Sequence, residues 1–598
     1  MAVVIDPARP DEKGVGDMQR HQVQQASFVG EERMQARATQ PAVVNARRRW
    51  LGPAIVVVVT GAAFAYGASA LVRPHARPND APAQVFSAER AMAHVTVIAR
   101  EPHPAGSAAM AQVADYLDKQ LERLGLEVQP LVVSDPKTGV TLHIVAGRIK
   151  GRDPTGAVLF VAHSDSVPWG PGAGDNATGA ATLLETARAL TAGPPTRNDI
   201  IFLFDDGEEL GDYRGGHMFA ERHPWMRDVK LVVGLDTAAW GVPFLMQDSE
   251  HNGTLVRGYA SGVDHPVALG LDASTNREDD AEIDPFRQRG LPGIELEDTY
   301  ANVIQHTTGD TVDRVNTGSL QLMGDQTLGV ARAYGAIDLN HAATPDRAFF
   351  SLPGIGLVHY PAAWSSVLGI VALLAVAAVI VGGRRRRGLR LRNLVLGFGA
   401  AVGLVFASVF LATIAARLYE RWYPDPRAHP LGEYLLPSSA PFAIVALVLI
   451  GVIFAFSYRW LARRLGAAEV GLAFLVLWLV LSTAFLARTP VGVYLFQWPL
   501  LAVCAAWWWL LRRRAPDSIV LVVPGGIAAS LLAPQVLLAY FGGGVAVLPD
   551  LALLTTLAVG LIAPALTSIS PERNAEVPEV ESLDPAAARS FAGSSSSG

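Results

Sequence analysis

The chain has 598 residues, half of them hydrophobic and 17% charged, with a mean hydropathy of +0.27. That is too apolar for a large soluble protein and too apolar for disorder over most of its length. Its one cysteine, Cys504, excludes a disulfide scaffold and any Cys-ligated zinc or iron–sulfur centre. The formal charge of −6 conceals an asymmetry, because residues 85–350 hold 37 acidic against 21 basic side chains, a net of −16. The remainder therefore carries +10. An acidic segment in a basic, apolar frame argues against nucleic acid as a partner.

In chain order, residues 1–49 are polar, lack periodicity and end in Arg47-Arg48-Arg49, and they read as a disordered cytoplasmic region. Residues 50–72 contain an uncharged apolar run from Leu51 to Val72, close to the ~20 residues a bilayer crossing needs. Ala68-Ser69-Ala70 has the small-x-small form of a signal-peptide cleavage site, but the region ahead of it is very long for one, so an uncleaved transmembrane anchor is expected. Residues 73–350 read as an extracytoplasmic α/β domain, and 361–567 as a transmembrane domain of about seven helices. Spans are expected near 362–383, 393–416, 439–458, 470–487, 491–511, 518–540 and 545–566. Arginine clusters at 47–49, 384–392, 459–464 and 512–514 fall on alternate sides of successive spans. The positive-inside rule puts all four in the cytoplasm, with both termini. Trp507-Trp508-Trp509 beside Arg512 fits an interfacial aromatic belt. No expected span has a central Asp, Glu, Lys or His, which an ion-coupled transporter would usually need. Residues 568–598 read as a disordered tail.

Within the acidic segment, apolar residues at helical spacing run from Ala108 to Leu126. Val158–Ala162, Ile200–Phe204 and Leu231–Leu235 are short apolar runs expected as buried strands, with a helix over Ala177–Leu190 between the first two. Alternating strands and helices imply a mixed, mostly parallel sheet sandwiched by helices. In such sheets the reactive side chains gather beyond the carboxyl ends of the strands. That is where His163-Ser164-Asp165, Asp205-Asp206-Gly207-Glu208-Glu209 and Asp236 fall, joined by the turn Gly174-Asp175-Asn176 and, further on, His306-Thr307-Thr308-Gly309-Asp310. Each residue alone has an ordinary explanation: a satisfied core histidine, a helix start, a turn. Their coincidence points to a metal site, because carboxylates crowded together require a counter-charge. Imidazole plus carboxylate without thiolate suits zinc, with cobalt or manganese as substitutes, and not calcium.

The stretches VAHSDSVPWGPGAGDNATGAATLLETARAL, IIFLFDDGEELGDYRGG, VVGLDTAAWG and HTTGDTVDRVN resemble the di-zinc metallopeptidase family of bacterial aminopeptidases and glutamate carboxypeptidase. REPHPAGSAAMAQVADYLDKQLERLGLEV, and a soluble domain followed by many spans, resemble its membrane-embedded branch in the endoplasmic reticulum and vacuole. The resemblance covers roughly residues 85–340. It implies a zinc exopeptidase-like fold and two Zn2+ per chain, one held by His163 and Asp236, the other by Glu209 and His306, with Asp175 bridging. It implies that Asp165 orients His163, that Glu208 is the general base, and that the Asp175–Asn176 peptide is cis. Two departures bear on substrate recognition. Gln305 stands where many members have a tyrosine, and Ala281-Glu282-Ile283-Asp284-Pro285-Phe286 replaces a Ser-Asp-His-x-Pro-Phe motif.

The function implied is a membrane-bound peptidase acting on peptides, an exopeptidase of the aminopeptidase kind. It would be a multi-pass protein of a bacterial cell membrane, or of a vacuole or endoplasmic reticulum with the catalytic domain on the lumenal side. A catalytically inactive receptor and a transporter-associated protein on the same fold are the competing readings. The oligomeric state is not legible.

Overall fold

Val158, Phe160 and Ala162 alternate along one strand with Ala157, Leu159 and Val161, and every residue from Ala157 to His163 is buried. Successive side chains of a strand point to opposite faces, so a strand buried throughout must be covered on both. The computed structural model, which describes residues 54–237, 240–278, 281–298, 304–422, 439–512 and 518–567, places this strand in the middle of a sheet. The expected disordered segments 1–49 and 568–598 lie outside the described residues.

The strands are β1 (Glu127–Val128), β2 (Leu131–Ser134), β3 (Thr141–Ile149), β4 (Ala157–His163), β5 (Asp199–Asp205), β6 (Val229–Asp236), β7 (Pro243–Asp248) and β8 (Gly293–Asp298). Their order is β1-β3-β5-β4-β6-β8-β7, with β2 on β3. The central pairs β5–β4, β4–β6 and β6–β8 are parallel, and the outer ones are antiparallel. One face of β4 and β5 (Val158, Phe160, Ile200, Phe202) packs with the helices Ala88–Ile98, Gly179–Thr191 and Thr317–Ala336. The other face (Leu159, Val161, Ile201, Leu203) packs with Phe219 and Phe286 of two further helices. Truncating a fully buried phenylalanine such as Phe160 to alanine costs about 3–5 kcal/mol. The α/β expectation, a mixed and mostly parallel sheet between helices, is borne out.

Clustering of contacts separates residues 58–564 from a second unit made of the two chain ends, Met1–Val57 and Ala565–Gly598, most of which is not described. In the larger unit the sheet is followed by a hairpin, β9 (Arg347–Leu352) and β10 (Gly356–Pro361), which leads directly into the helix Ala363–Arg387. The boundary expected at 350 thus falls inside a strand.

Among the described residues seven helices are long and apolar enough to cross a membrane: Ala54–Leu71, Ala363–Arg387, Leu391–Trp422, Ser439–Leu465, Ala467–Arg488, Tyr494–Arg512 and Ile519–Gly543. The eighth expected span, near 545–566, is a helix, but its apolar run Leu548–Pro564 is shorter than the others. The soluble domain is seated on these helices. Gln535 donates to Asp272 at 2.5 Å, the hydroxyls of Ser274 and Thr489 meet at 2.6 Å, and Phe350 stacks on Tyr494 with ring centroids 4.6 Å apart.

Candidate metal centre

Parallel strands end on the same side of a sheet, so β4 and β5 bring His163 and Asp205 into direct register, and the end of β6 places Asp236 nearby. Beyond these ends the chain must turn sharply. Gly172 supplies a left-handed turn (φ 63°), and a Cβ there would lie 2.6 Å from the Asp175 carbonyl oxygen. Asn176 acts as a strut, donating from Nδ2 to the Leu235 carbonyl at 2.7 Å and accepting the Gly179 N–H at 3.0 Å. That contact carries the neighbouring Asp175 from the β4 loop to the end of β6. The Asp175–Asn176 peptide is cis.

Asp175 stands between the two histidines. Its Oδ1 is 3.0 Å from His163 Nε2, and its Oδ2 is 3.1 Å from His306 Nε2. His163 Nε2 also lies 3.9 Å from Asp236 Oδ1, and His306 Nε2 lies 3.2 Å from Glu209 Oε2. Two triads result, His163–Asp175–Asp236 and Asp175–Glu209–His306, each with its ligand atoms within 4.8 Å of one another. Glu208 Oε2 is 4.0 Å from His163 Nε2. All six of these residues, expected at strand ends and turns far apart in sequence, come together here.

Asp165 does two things. Its main-chain carbonyl, at 3.2 Å, is the nearest partner of His163 Nδ1, while its carboxylate is 3.6 Å from that nitrogen. The carboxylate instead accepts the backbone N–H groups of Glu208 and Glu209 at 3.2 and 3.3 Å. Asp165 therefore fixes the imidazole and the glutamate-bearing turn together.

Asp310 has no role in the sequence reading beyond its place in a motif. It is buried, and its carboxylate accepts the N–H groups of Gly174 at 2.6 Å and Asp175 at 3.0 Å. The Trp169 indole donates to the His306 carbonyl at 2.8 Å, so the 167–175 loop and the 304–310 segment are laced together. Glu282, in the motif that departs from the family pattern, is also buried and accepts the His163 N–H at 3.0 Å. No sequence signal marked this contact, because Glu282 lies 119 residues from His163 in sequence.

The electrostatics explain what this arrangement lacks on its own. Burial, reinforced by the surrounding acids, pushes Glu208 up to about 9 and Glu209 up to about 8. Burial likewise raises Asp310 to about 7. Against the cost of its burial, hydrogen bonds from His163 and His306 hold Asp175 below the usual carboxylate range. The hydrogen bond to Asp175 in turn raises His306 to about 9. Glu209 Oε1 is buried and accepts no hydrogen bond. Carboxylates this crowded ionise together only when a cation joins them. Two imidazoles and three carboxylates, with no sulfur, form a donor set that fits zinc.

Residues 144–331 match the profile of Peptidase family M28. The chain is 30% identical over 269 residues to endoplasmic reticulum metallopeptidase 1 of Rattus norvegicus, covering 43% of this chain and 30% of that protein. It is 31% identical over 234 residues to the vacuolar membrane protease of Candida albicans, covering 37% of this chain and 27% of the relative. The chain thus spans about a third or less of the length of these relatives. Among solved structures it aligns with a zinc aminopeptidase from Bacillus subtilis at 16% identity and a TM-score of 0.36, covering 42% of this chain and 95% of that one. The resemblance read from the strand-end motifs is borne out over the soluble domain.

Proposed function

We propose that this protein is a membrane-bound, zinc-dependent peptidase, an exopeptidase of the aminopeptidase kind, with two zinc ions sharing Asp175 and with Glu208 as general base. One observation carries the reading: a single buried carboxylate, Asp175, meets a histidine from a different triad on each of its two oxygens. His163 and Asp236 would hold one ion, and Glu209 and His306 the other. Zinc bound there supplies an acidified water and a Lewis acid for the scissile carbonyl.

The chain's own groups do the rest. Glu208 is a fifth exposed and adjoins the cluster without belonging to either triad, so it is free to take up a proton. It takes the proton of the attacking water and returns it to the leaving amine. Asp165 holds the turn that aims it, through the two backbone hydrogen bonds. Asp310 holds the Asp175 backbone by accepting its N–H.

The catalytic domain spans residues 73–361 in this reading and faces away from the cytoplasm, in a multi-pass protein anchored by the helix Ala54–Leu71. Arginines cluster at the far ends of the helices Ala363–Arg387 and Ser439–Leu465, which supports that orientation. Reporter fusions at residues 200 and 388 should lie on opposite sides of the membrane; both on one side would overturn the topology. The activity is tested on the full-length protein in detergent, with aminoacyl anilides and with a peptide library carrying free or blocked amino termini. Cleavage that needs a free amino terminus, is abolished by a chelator and is restored by zinc is expected. A zinc-loaded protein inert toward every peptide would refute the proposal.

A further inference from the structure

Away from the metal centre, two arginines and a histidine gather without an acid to balance them. Arg257 stands on the helix Gly253–Gly262, Arg347 opens β9, and His359 lies on β10. Arg347 Nε donates to His359 Nδ1 at 2.8 Å. An arginine can only donate, so His359 is neutral there and carries its proton on Nε2. Arg257 reaches the hydroxyls of Thr254 and Thr344 at 3.1 and 3.4 Å. Among the described residues neither arginine makes an ion pair. The nearby acids are occupied otherwise: Asp346 accepts the Asn252 N–H at 2.9 Å, and Asp338 accepts the Asn340 N–H at 3.0 Å. Burial, and then Arg257, hold Arg347 below the usual arginine range. Burial, and then the two arginines, do the same to His359. Like charges gathered in this way favour any anion that can join them.

Their position says which anion. In the antiparallel register Arg347 stands opposite Pro361, two residues ahead of the membrane helix Ala363–Arg387. Trp364, in the first turn of that helix, is 62% exposed, and Trp498 meets Tyr360 edge-on at 6.4 Å. Exposed tryptophans at the end of an apolar helix mark the headgroup level of a bilayer. The cations therefore sit where lipid phosphates lie, on whichever side of the membrane holds the soluble domain.

We propose that Arg257, Arg347 and His359 bind the phosphate of an anionic phospholipid headgroup in the leaflet adjoining the soluble domain. Guanidinium groups match phosphate oxygens in a two-pronged fashion. The His359 Nε2–H and the hydroxyls of Thr254 and Thr344 add neutral donors. Binding would fix the hairpin, and with it the soluble domain, against the membrane surface. The proposal is independent of the peptidase reading.

The test uses the full-length protein in nanodiscs of phosphatidylcholine alone or mixed with phosphatidylglycerol, with inorganic phosphate as a separate probe. Bound lipid is read by native mass spectrometry, and stability by thermal melting. Phosphatidylglycerol should be retained and should raise the melting temperature. The double variant Arg257→Gln/Arg347→Gln should bind it roughly 10- to 30-fold more weakly, the effect of two surface cations on an anionic headgroup. The variant's melting in phosphatidylcholine should stay close to the wild type, because the hydrogen bonds it loses to His359, Thr254 and Thr344 are offset by relief of the repulsion between the two arginines. If it melts lower there, the exposed Arg257→Gln alone decides, with an expected loss of about five-fold. Unchanged phosphatidylglycerol binding in the folded variant overturns the proposal. So does inorganic phosphate that protects as well as the lipid, which would assign the site to a soluble phosphate ligand.

Discussion

Replacing Asp310 with alanine tests whether the loop that carries Asp175 is held from behind. Asp310 is 3% exposed and accepts two backbone N–H groups, from Gly174 at 2.6 Å and Asp175 at 3.0 Å. Alanine leaves both buried without a partner, at about 1–3 kcal/mol each, or roughly 2–6 kcal/mol if the loop stays still. The loop avoids that cost by moving, and Asp175 moves with it. The loss then appears as metal affinity. Groups that orient metal ligands typically contribute about 10–100-fold, equivalent to about 1.4–2.7 kcal/mol, at the lower end of the backbone estimate. Asp310→Asn keeps one acceptor oxygen and should fall between wild type and alanine. Zinc affinity is measured by competition with a chelating dye, and zinc per chain by elemental analysis. An Asp310→Ala chain that binds zinc as tightly as the wild type would refute the reasoning.

Glu208 and Glu209 are neighbours with different expected tasks. Glu208→Gln should keep its metal and lose on the order of 10²–10⁴-fold in turnover, whereas Glu209→Ala should lose metal; the reverse pattern in zinc content and rate would exchange their roles. Stability of the chelated protein should fall as pH rises from about 4 to about 9. Folded Glu208, Glu209 and Asp310 keep their protons up to about 9, 8 and 7. The unfolded chain releases the same protons near pH 4, so raising the pH penalises the folded state. His306, raised to about 9, acts in the same direction: its stabilisation is present below about 6.5 and is lost as pH climbs through 9. Zinc should abolish most of this slope, and a flat melting profile in chelator would contradict the electrostatic reading. Excised residues 74–361 should aggregate without detergent, because Phe244, Val267, Leu269 and Leu322 form one apolar cluster with Leu71 and Leu538 of the membrane helices. A monodisperse excised domain would show that the cluster is dispensable.

The central strands were legible because a parallel strand buried on both faces must be apolar along its length. The runs at 158–162, 200–204 and 231–235 each proved to be the interior of a slightly longer strand. Residues just beyond their carboxyl ends follow from sheet geometry, which is why His163, the stretch Asp205–Glu209 and Asp236 stood out in the sequence, while the family resemblance singled out Glu208 and Glu209 within that stretch. Asp310 and Glu282 could not. Their work is to accept main-chain N–H groups across 135 or more residues for Asp310 and 119 for Glu282, and no local pattern encodes such a partner. The share of Asp165 is similar: proximity to His163 in sequence suggested an imidazole partner, but its carboxylate also serves a turn more than 40 residues away. The β9–β10 hairpin has no counterpart in the sequence reading, which ends the domain at residue 350; the chain reverses after Leu352 and pairs back along β9 before the helix Ala363–Arg387. The last apolar run was legible as a helix, but its length fell short of the others.

The central claim is that one carboxylate joins two metal ions. Diffraction from zinc-loaded crystals of the full-length protein, collected at the zinc absorption edge, tests it most directly. The account predicts two anomalous peaks about 3.5–4 Å apart, with Asp175 touching both, His163 and Asp236 on one, and Glu209 and His306 on the other. A single peak, or two peaks that do not share Asp175, would contradict it.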